Sequence, residues 1–182
     1  MNFASEFTKI AKVEGGYSDR DSDSGGKTKF GVTEAVAREH GYKGKMEDLP
    51  YDTAKTIAKK AYWDKLSLDA IVGFSPAIAH ELFDTGYNQG VGTAARFLQR
   101  SLNVLNMGAK FYGDIKVDGA VGPKTVEALK DYLRHRPHDG ESVMLKALNA
   151  LQGARYIEIA EDRPKDEDYV FGWFRERVGD LS

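Results

Sequence analysis

The sequence predicts a mainly α fold with one small β-hairpin or loop element beside its first helix. Three observations predict it. Apolar residues recur at the i, i+3, i+4, i+7 spacing of helices along most of the chain. Start signals such as Ser75-Pro76 and Gly122-Pro123 punctuate those runs. Only residues 17–31 are poor in apolar side chains and rich in Asp, Ser and Gly.

The elements follow in order. Phe7, Ile10, Ala11 and Glu14 form one helical stripe, with Ser5 as the expected N-cap and Gly15 as the left-handed residue after the last turn. Residues 17–31 form a loop or short hairpin turning at Ser24-Gly25-Gly26. Thr33 caps a helix ending before Gly41, and Asp52 caps the next, with Ile57, Ala58, Ala61 and Tyr62 inward. Pro76 opens a helix that buries Ile78, Ala79, Leu82, Phe83 and Gly86 and turns Glu81, Asp84 and Asn88 to its polar side. A helix from about Thr93 to Val104 runs through Phe97, Leu98, Ser101 and Leu102, and an irregular Gly-rich stretch follows at residues 106–122. Pro123 opens a helix on Val126, Leu129 and Leu133. The longest helix, about Glu141 to Asp162, rests on Val143, Met144, Ala147, Leu148, Leu151 and Ala154. Pro164 breaks it before an aromatic tail that packs back. A soft boundary between Asn88 and Gly92 divides the chain into residues 1–90 and 91–180, expected to pack as one compact unit.

Composition excludes several classes. The 182 residues suffice for one or two domains, and a net charge of −2 lacks the basic surplus of a nucleic-acid binder. With no cysteine there is neither a disulfide framework nor a thiolate metal site. No run is long and apolar enough to span a membrane, and residues 1–12 lack the basic start and hydrophobic core of a secretory signal. The expectation is synthesis in the cytoplasm.

Glu14 carries the first chemical signal. It sits at the negative end of a helix dipole and partly out of water, and both effects raise a carboxyl pKa. A carboxylic acid that keeps its proton near neutral pH is the general acid of glycoside hydrolysis. Asp23 and Thr28, on a segment tethered by Gly15-Gly16, can fold back towards it. Asp23 equally suits an Asx turn at the bend. Other motifs fail. An EF-hand starting at Asp19 would need Gly and Glu where Ser24 and Phe30 stand. The G-x-G-x-x-A string at residues 90–95 follows a helix rather than a strand. The four histidines show no zinc-ligand spacing, and no G-x-S-x-G elbow exists, so no metal is expected.

Taken together, Glu14-Gly15-Gly16-Tyr17, then Asp23, Gly25-Gly26, Thr28 and Gly31-Val32-Thr33 resemble the signature of the glycoside hydrolase family 108 N-acetylmuramidases. Tyr62-Trp63, Phe83-Asp84 with Asn88 and Gly90, Asp118-Gly119 with Gly122-Pro123 and Thr125, and Gly172-Trp173 with Arg175 or Arg177 continue the likeness along the chain. The later segments resemble the family's predicted peptidoglycan-binding half. The resemblance implies a lysozyme-like helical fold and cleavage of the β-1,4 bond between N-acetylmuramic acid and N-acetylglucosamine. It implies no cofactor, a monomer, peptidoglycan strands as the partner, and export by a holin or other helper. Glu14 is then the general acid, Asp23 positions water or stabilises the oxocarbenium charge, and Thr28 orients that water or hydrogen-bonds Asp23. Tyr17, Gly25, Gly26, Asp84 and Asn88 are expected to bind substrate. A lytic transglycosylase and a non-catalytic peptidoglycan-binding scaffold stay open as alternatives.

Overall fold

The computed structural model describes residues 2–13, 16–17 and 26–179, excepting the side chains of Ile10, Lys12 and Val13. It is mainly helical with a single two-stranded antiparallel sheet among those residues. Two compact units divide after Lys65.

In the first unit, α1 (Phe3–Val13) begins two residues before the expected cap. Asn2 takes that role, since its Oδ1 accepts from the Ser5 amide at 3.0 Å. Ser5 instead donates its hydroxyl back to the Asn2 carbonyl at 2.8 Å. Phe3, Phe7 and Ala11 are buried on one face, and Phe3 meets the fully buried Trp63 edge-on, 5.5 Å between ring centroids. The helix α3 (Tyr51–Ala58) follows Pro50, so Asp52 lies inside its first turn rather than at the cap. It continues as a π-helical turn over Lys59–Trp63, and the widened turn carries Trp63 into the core.

The hairpin pairs β1 (Thr28–Lys29) with β2 (Val32–Thr33), Thr28 opposite Thr33 and Lys29 opposite Val32. Its two-residue turn is Phe30-Gly31, with φ of 50° and 72°, and not the expected Ser24-Gly25-Gly26. Positive φ at both central residues matches the twist of the strands. Glycine adopts it freely at Gly31, while the Phe30 ring is held edge-on against Tyr51 at 5.4 Å. Ser24 and Gly25 lie outside the described residues. Thr33 caps α2 (Glu34–Glu39) as expected, accepting from the Val36 amide.

The second unit contains α4 (Leu68–Ile71), α5 (Pro76–Gln89), α6 (Val91–Val104), α7 (Pro123–His135), α8 (Gly140–Asp162) and α9 (Glu167–Arg177). Ser75 caps α5 through its hydroxyl, and Ile78, Ala79, Leu82, Phe83 and Gly86 are all buried. A side chain at position 86 would meet Leu66 at 2.6 Å, which is why glycine stands there. The α5 helix packs against α6 and α8. Among the described residues no helix is long and apolar enough to cross a membrane.

Two readings of helix faces need correction. Glu81, expected on the polar side of α5, is 8% exposed. On α8 the buried row includes Asn149, Gln152, Gly153 and Tyr156, whereas Ala154 is exposed. The two faces meet, so polar residues line the α5–α8 seam. Periodicity reads polar as outward, but a polar residue can be buried when another polar residue answers it.

Three carboxamides, Gln99 and Asn103 on α6 and Asn106 just past its end, order the irregular loop that follows. Asn106 donates to Asp114 at 3.2 Å and accepts from the Phe111 and Tyr112 amides. Asn103 bonds both the amide and the carbonyl of Ile115. Gln99 accepts from the Gly119 amide at 3.0 Å and donates to Asp118 and to the Ala120 carbonyl, both at 2.9 Å. Two residues at i and i+4 of α6 and one just beyond its C-terminus thereby satisfy a loop with little backbone pairing of its own.

Candidate active site

The first unit carries the segment on which the sequence places the expected acid. The α1 helix ends at Val13, immediately before Glu14. Glu14, Asp23 and Gly25 lie outside the described residues. Thr28 stands in β1, half-buried, with its hydroxyl donating to the Gly26 carbonyl at 3.3 Å. Gly26 has φ +69°, a conformation that a side chain would strain.

A groove of about 290 Å³ opens beside this hairpin, lined by Tyr17, Lys27, Glu34, Arg38, Lys45, Met46 and Glu47. Its aromatic member, Tyr17, is 39% exposed. Arg38 is fixed by three acceptors, Glu34 at 2.7 Å and the carbonyls of Tyr42 and Gly44 at 2.8 and 2.7 Å. Lys45 pairs with Glu47 at 3.3 Å, and Lys29 donates to the Glu47 carbonyl. An aromatic face among hydrogen-bonding groups suits a sugar ring, whose faces are apolar and whose edge carries hydroxyls. Of these residues the sequence pointed only to Tyr17. Lys27, Arg38 and Lys45 look like ordinary surface charges until the hairpin and α2 bring them to one rim.

In the second unit, Asp84 and Asn88 are brought together. The Asn88 amide donates from Nδ2 to the Asp84 carbonyl at 2.8 Å and to its Oδ1 at 3.1 Å. Asp84 Oδ1 also accepts from Arg177 at 3.0 Å, and Oδ2 accepts from Gln152 at 2.9 Å. Gln152 and Arg177 come from α8 and α9, and neither was singled out as a partner of Asp84. Of the two arginines in the closing motif, Arg177 reaches Asp84, while Arg175 pairs with Glu176. The only sequence signal for Gln152 was its place in the Asn149, Gln152, Tyr156 row.

One turn earlier on α5, Glu81 accepts from Thr85 at 3.2 Å and from Asn149 at 3.3 Å. Burial, reinforced by the Asp84 charge, pushes its pKa up to about 7. Removing one partner from the Asp84 cluster strands the other polar groups. Asp84→Ala is therefore expected to cost about 3 kcal/mol in urea unfolding. Asp84→Ala with Arg177→Met should recover part of that loss, and strict additivity of the two changes would show that the pair is uncoupled.

Comparisons with known proteins bear on both units. Residues 7–90 match the family model described as Glycosyl hydrolase 108, and residues 93–178 match the Predicted Peptidoglycan domain. A solved structure, SagA from Brucella abortus, superposes with a TM-score of 0.74 over 98% of this chain and 90% of its own. At 22% identity that likeness shows the fold. A search of curated proteins finds no match. Residues 7–90 thus carry the likeness to glycosyl hydrolase family 108, a peptidoglycan domain follows, and the protein is a glycoside hydrolase of peptidoglycan.

Proposed function

We propose that the chain is an N-acetylmuramidase, cleaving the β-1,4 bond between N-acetylmuramic acid and N-acetylglucosamine. The observation that carries this reading is the match of residues 7–90, the segment holding Glu14, Asp23 and Thr28, to the hydrolase family. Glu14 donates its proton to the glycosidic oxygen as the C–O bond breaks. Asp23 holds the water or balances the oxocarbenium charge, and Thr28 orients that water.

Tyr17 stacks on a sugar ring in the groove beside the hairpin, and Gly25 and Gly26 let the backbone approach the glycan. Asp84 acts through Asn88. Because Nδ2 of Asn88 is spent on Asp84, the group left for a ligand is the Oδ1 acceptor, which suits the N–H of an acetamido group. The enzyme works as a monomer on the wall, reached through a holin or another helper.

Digestion of purified peptidoglycan, with mass spectrometry of the products, tests the reaction. Reducing N-acetylmuramic ends are expected. Ends lighter by one water, the 1,6-anhydro form, would make the enzyme a lytic transglycosylase. Reducing N-acetylglucosamine ends would overturn the bond assignment.

A further inference from the structure

Charge is unevenly spread in the C-terminal part of the chain. Residues 91–136 hold eight Lys and Arg against four Asp and Glu, whereas residues 137–182 hold six against ten. Part of the basic surplus is organised by the carboxamide row on α6. Between the anchors at Ile115 and Gly119, the loop runs alongside α6 and leaves Lys116 and Val117 exposed. Lys116 lies close enough to Asp118 to help lower its carboxyl pKa, behind the hydrogen bonds from Gln99 and the Ala120 amide.

On the helix, Arg96, Arg100 and Val104 form the neighbouring i, i+4, i+8 row, all exposed. Arg96 bounds the patch at the loop: a Cβ on Gly119 would come within 2.9 Å of its guanidinium carbon. None of the three cations forms an ion pair among the described residues. Val104 is 78% and Val117 38% exposed. The result is a small surface of three spaced cations interleaved with two methyl-bearing side chains, on a loop held in shape from below.

We propose that this surface binds the stem peptide of peptidoglycan through its free carboxylates, an inference that rests on the peptidoglycan-hydrolase reading. Spaced cations fit a short peptide with several carboxylates, and the valines fit its alanine methyls. Asp114 and Asp118 interrupt the positive field, and no aromatic stacking row accompanies the cations, which disfavours a nucleic-acid strand. The site therefore reads the peptide while the hydrolase region works on the glycan.

The test uses the full chain carrying Glu14→Gln, so that the polymer stays intact during cosedimentation with purified sacculi. Adding Arg100→Glu and Lys116→Glu, both exposed, is expected to weaken binding at least tenfold, and raising salt should weaken the parent most. Lys146→Glu, exposed on α8, makes the charge change of one of these substitutions elsewhere and should bind like the parent, whereas Arg100→Glu alone should already weaken binding. Sacculi stripped of stem peptides by an amidase should bind the parent no better than they bind the double variant.

Binding of the double variant within twofold of the parent overturns the proposal. So does equal parent binding to stripped and intact sacculi. Tighter parent binding to phosphatidylglycerol vesicles or to duplex DNA than to sacculi also overturns it and assigns the surface to that ligand. Release of reducing ends by the wild type from amidase-stripped strands reports the hydrolase reading separately, so the two can fail independently.

Discussion

Glu14→Gln is expected to slow release of reducing ends from peptidoglycan by about 10²- to 10⁴-fold, the range that a positioned general acid supplies. The substitution keeps size and hydrogen-bonding capacity but removes the proton that the leaving oxygen needs. Circular dichroism and binding to sacculi should be unchanged. Asp23→Asn should also reduce the rate, with a difference in kind. If Asp23 positions water, its loss mainly lowers the rate at saturating substrate, whereas a purely structural role at the bend would lower stability as well. Activity of Glu14→Gln within tenfold of wild type would remove Glu14 from the chemistry and return the search to other acids.

The second large effect concerns pH and the α5–α8 seam. Glu81 has a folded-state pKa of about 7, above its ordinary value of 4.5, so the folded protein holds a proton that the unfolded chain releases. The stabilisation associated with that proton is fully present below about pH 4.5. It is lost as pH rises towards about 7 and levels off beyond. The shift corresponds to roughly 3 kcal/mol. A proton on Glu81 also supplies a donor to a seam in which Asn149 Oδ1 and Gln152 Oε1 find none among the described residues.

Glu81→Gln mimics the neutral acid at every pH. In urea unfolding it is expected to match wild type near pH 4 and to exceed it by up to about 3 kcal/mol at pH 8. The difference between the two proteins isolates Glu81 from groups of opposite sign, such as Asp118, whose pKa is lowered. Parallel stability curves from pH 4 to pH 8 would exclude the proton from the seam.

Where the governing chemistry was local, it was legible in the chain. Thr33 and Ser75 mark helix starts because a cap bonds within its own first turn, and Pro123 does so because its fixed φ suits the first helical position. Ser5 was misplaced for the same reason, since Asn2 offers an equivalent oxygen three residues earlier and wins the longer helix. Phe30-Gly31 escaped notice because an aromatic residue in the left-handed region needs a tertiary contact, here Tyr51, to hold it.

The seam was illegible for a deeper reason. Asp84 looks solvent-facing until Gln152, 68 positions away, and Arg177, 93 away, answer it. Of the candidate site, the motif drew attention to Thr28 and Tyr17, while the cationic rim of the groove depends on α2 and the hairpin meeting. The family model ends at residue 90, just after α5, yet α5 packs with the helices that follow. Family boundaries follow shared sequence, and packing follows shared surface.

The clasp between Asp84 and Arg177 also sets a schedule for synthesis. A ribosome adding roughly 5–20 residues per second needs roughly 5–20 s to pass from one residue to the other, so the face of α5 that carries Asp84 waits for α8 and α9 over that time, while α6 is already at hand. An apolar edge left waiting would invite association with other nascent chains. Glu81, Asp84, Asn88 and Gln89 present water with groups that it solvates readily, so the half-made protein stays dispersed until its partners emerge.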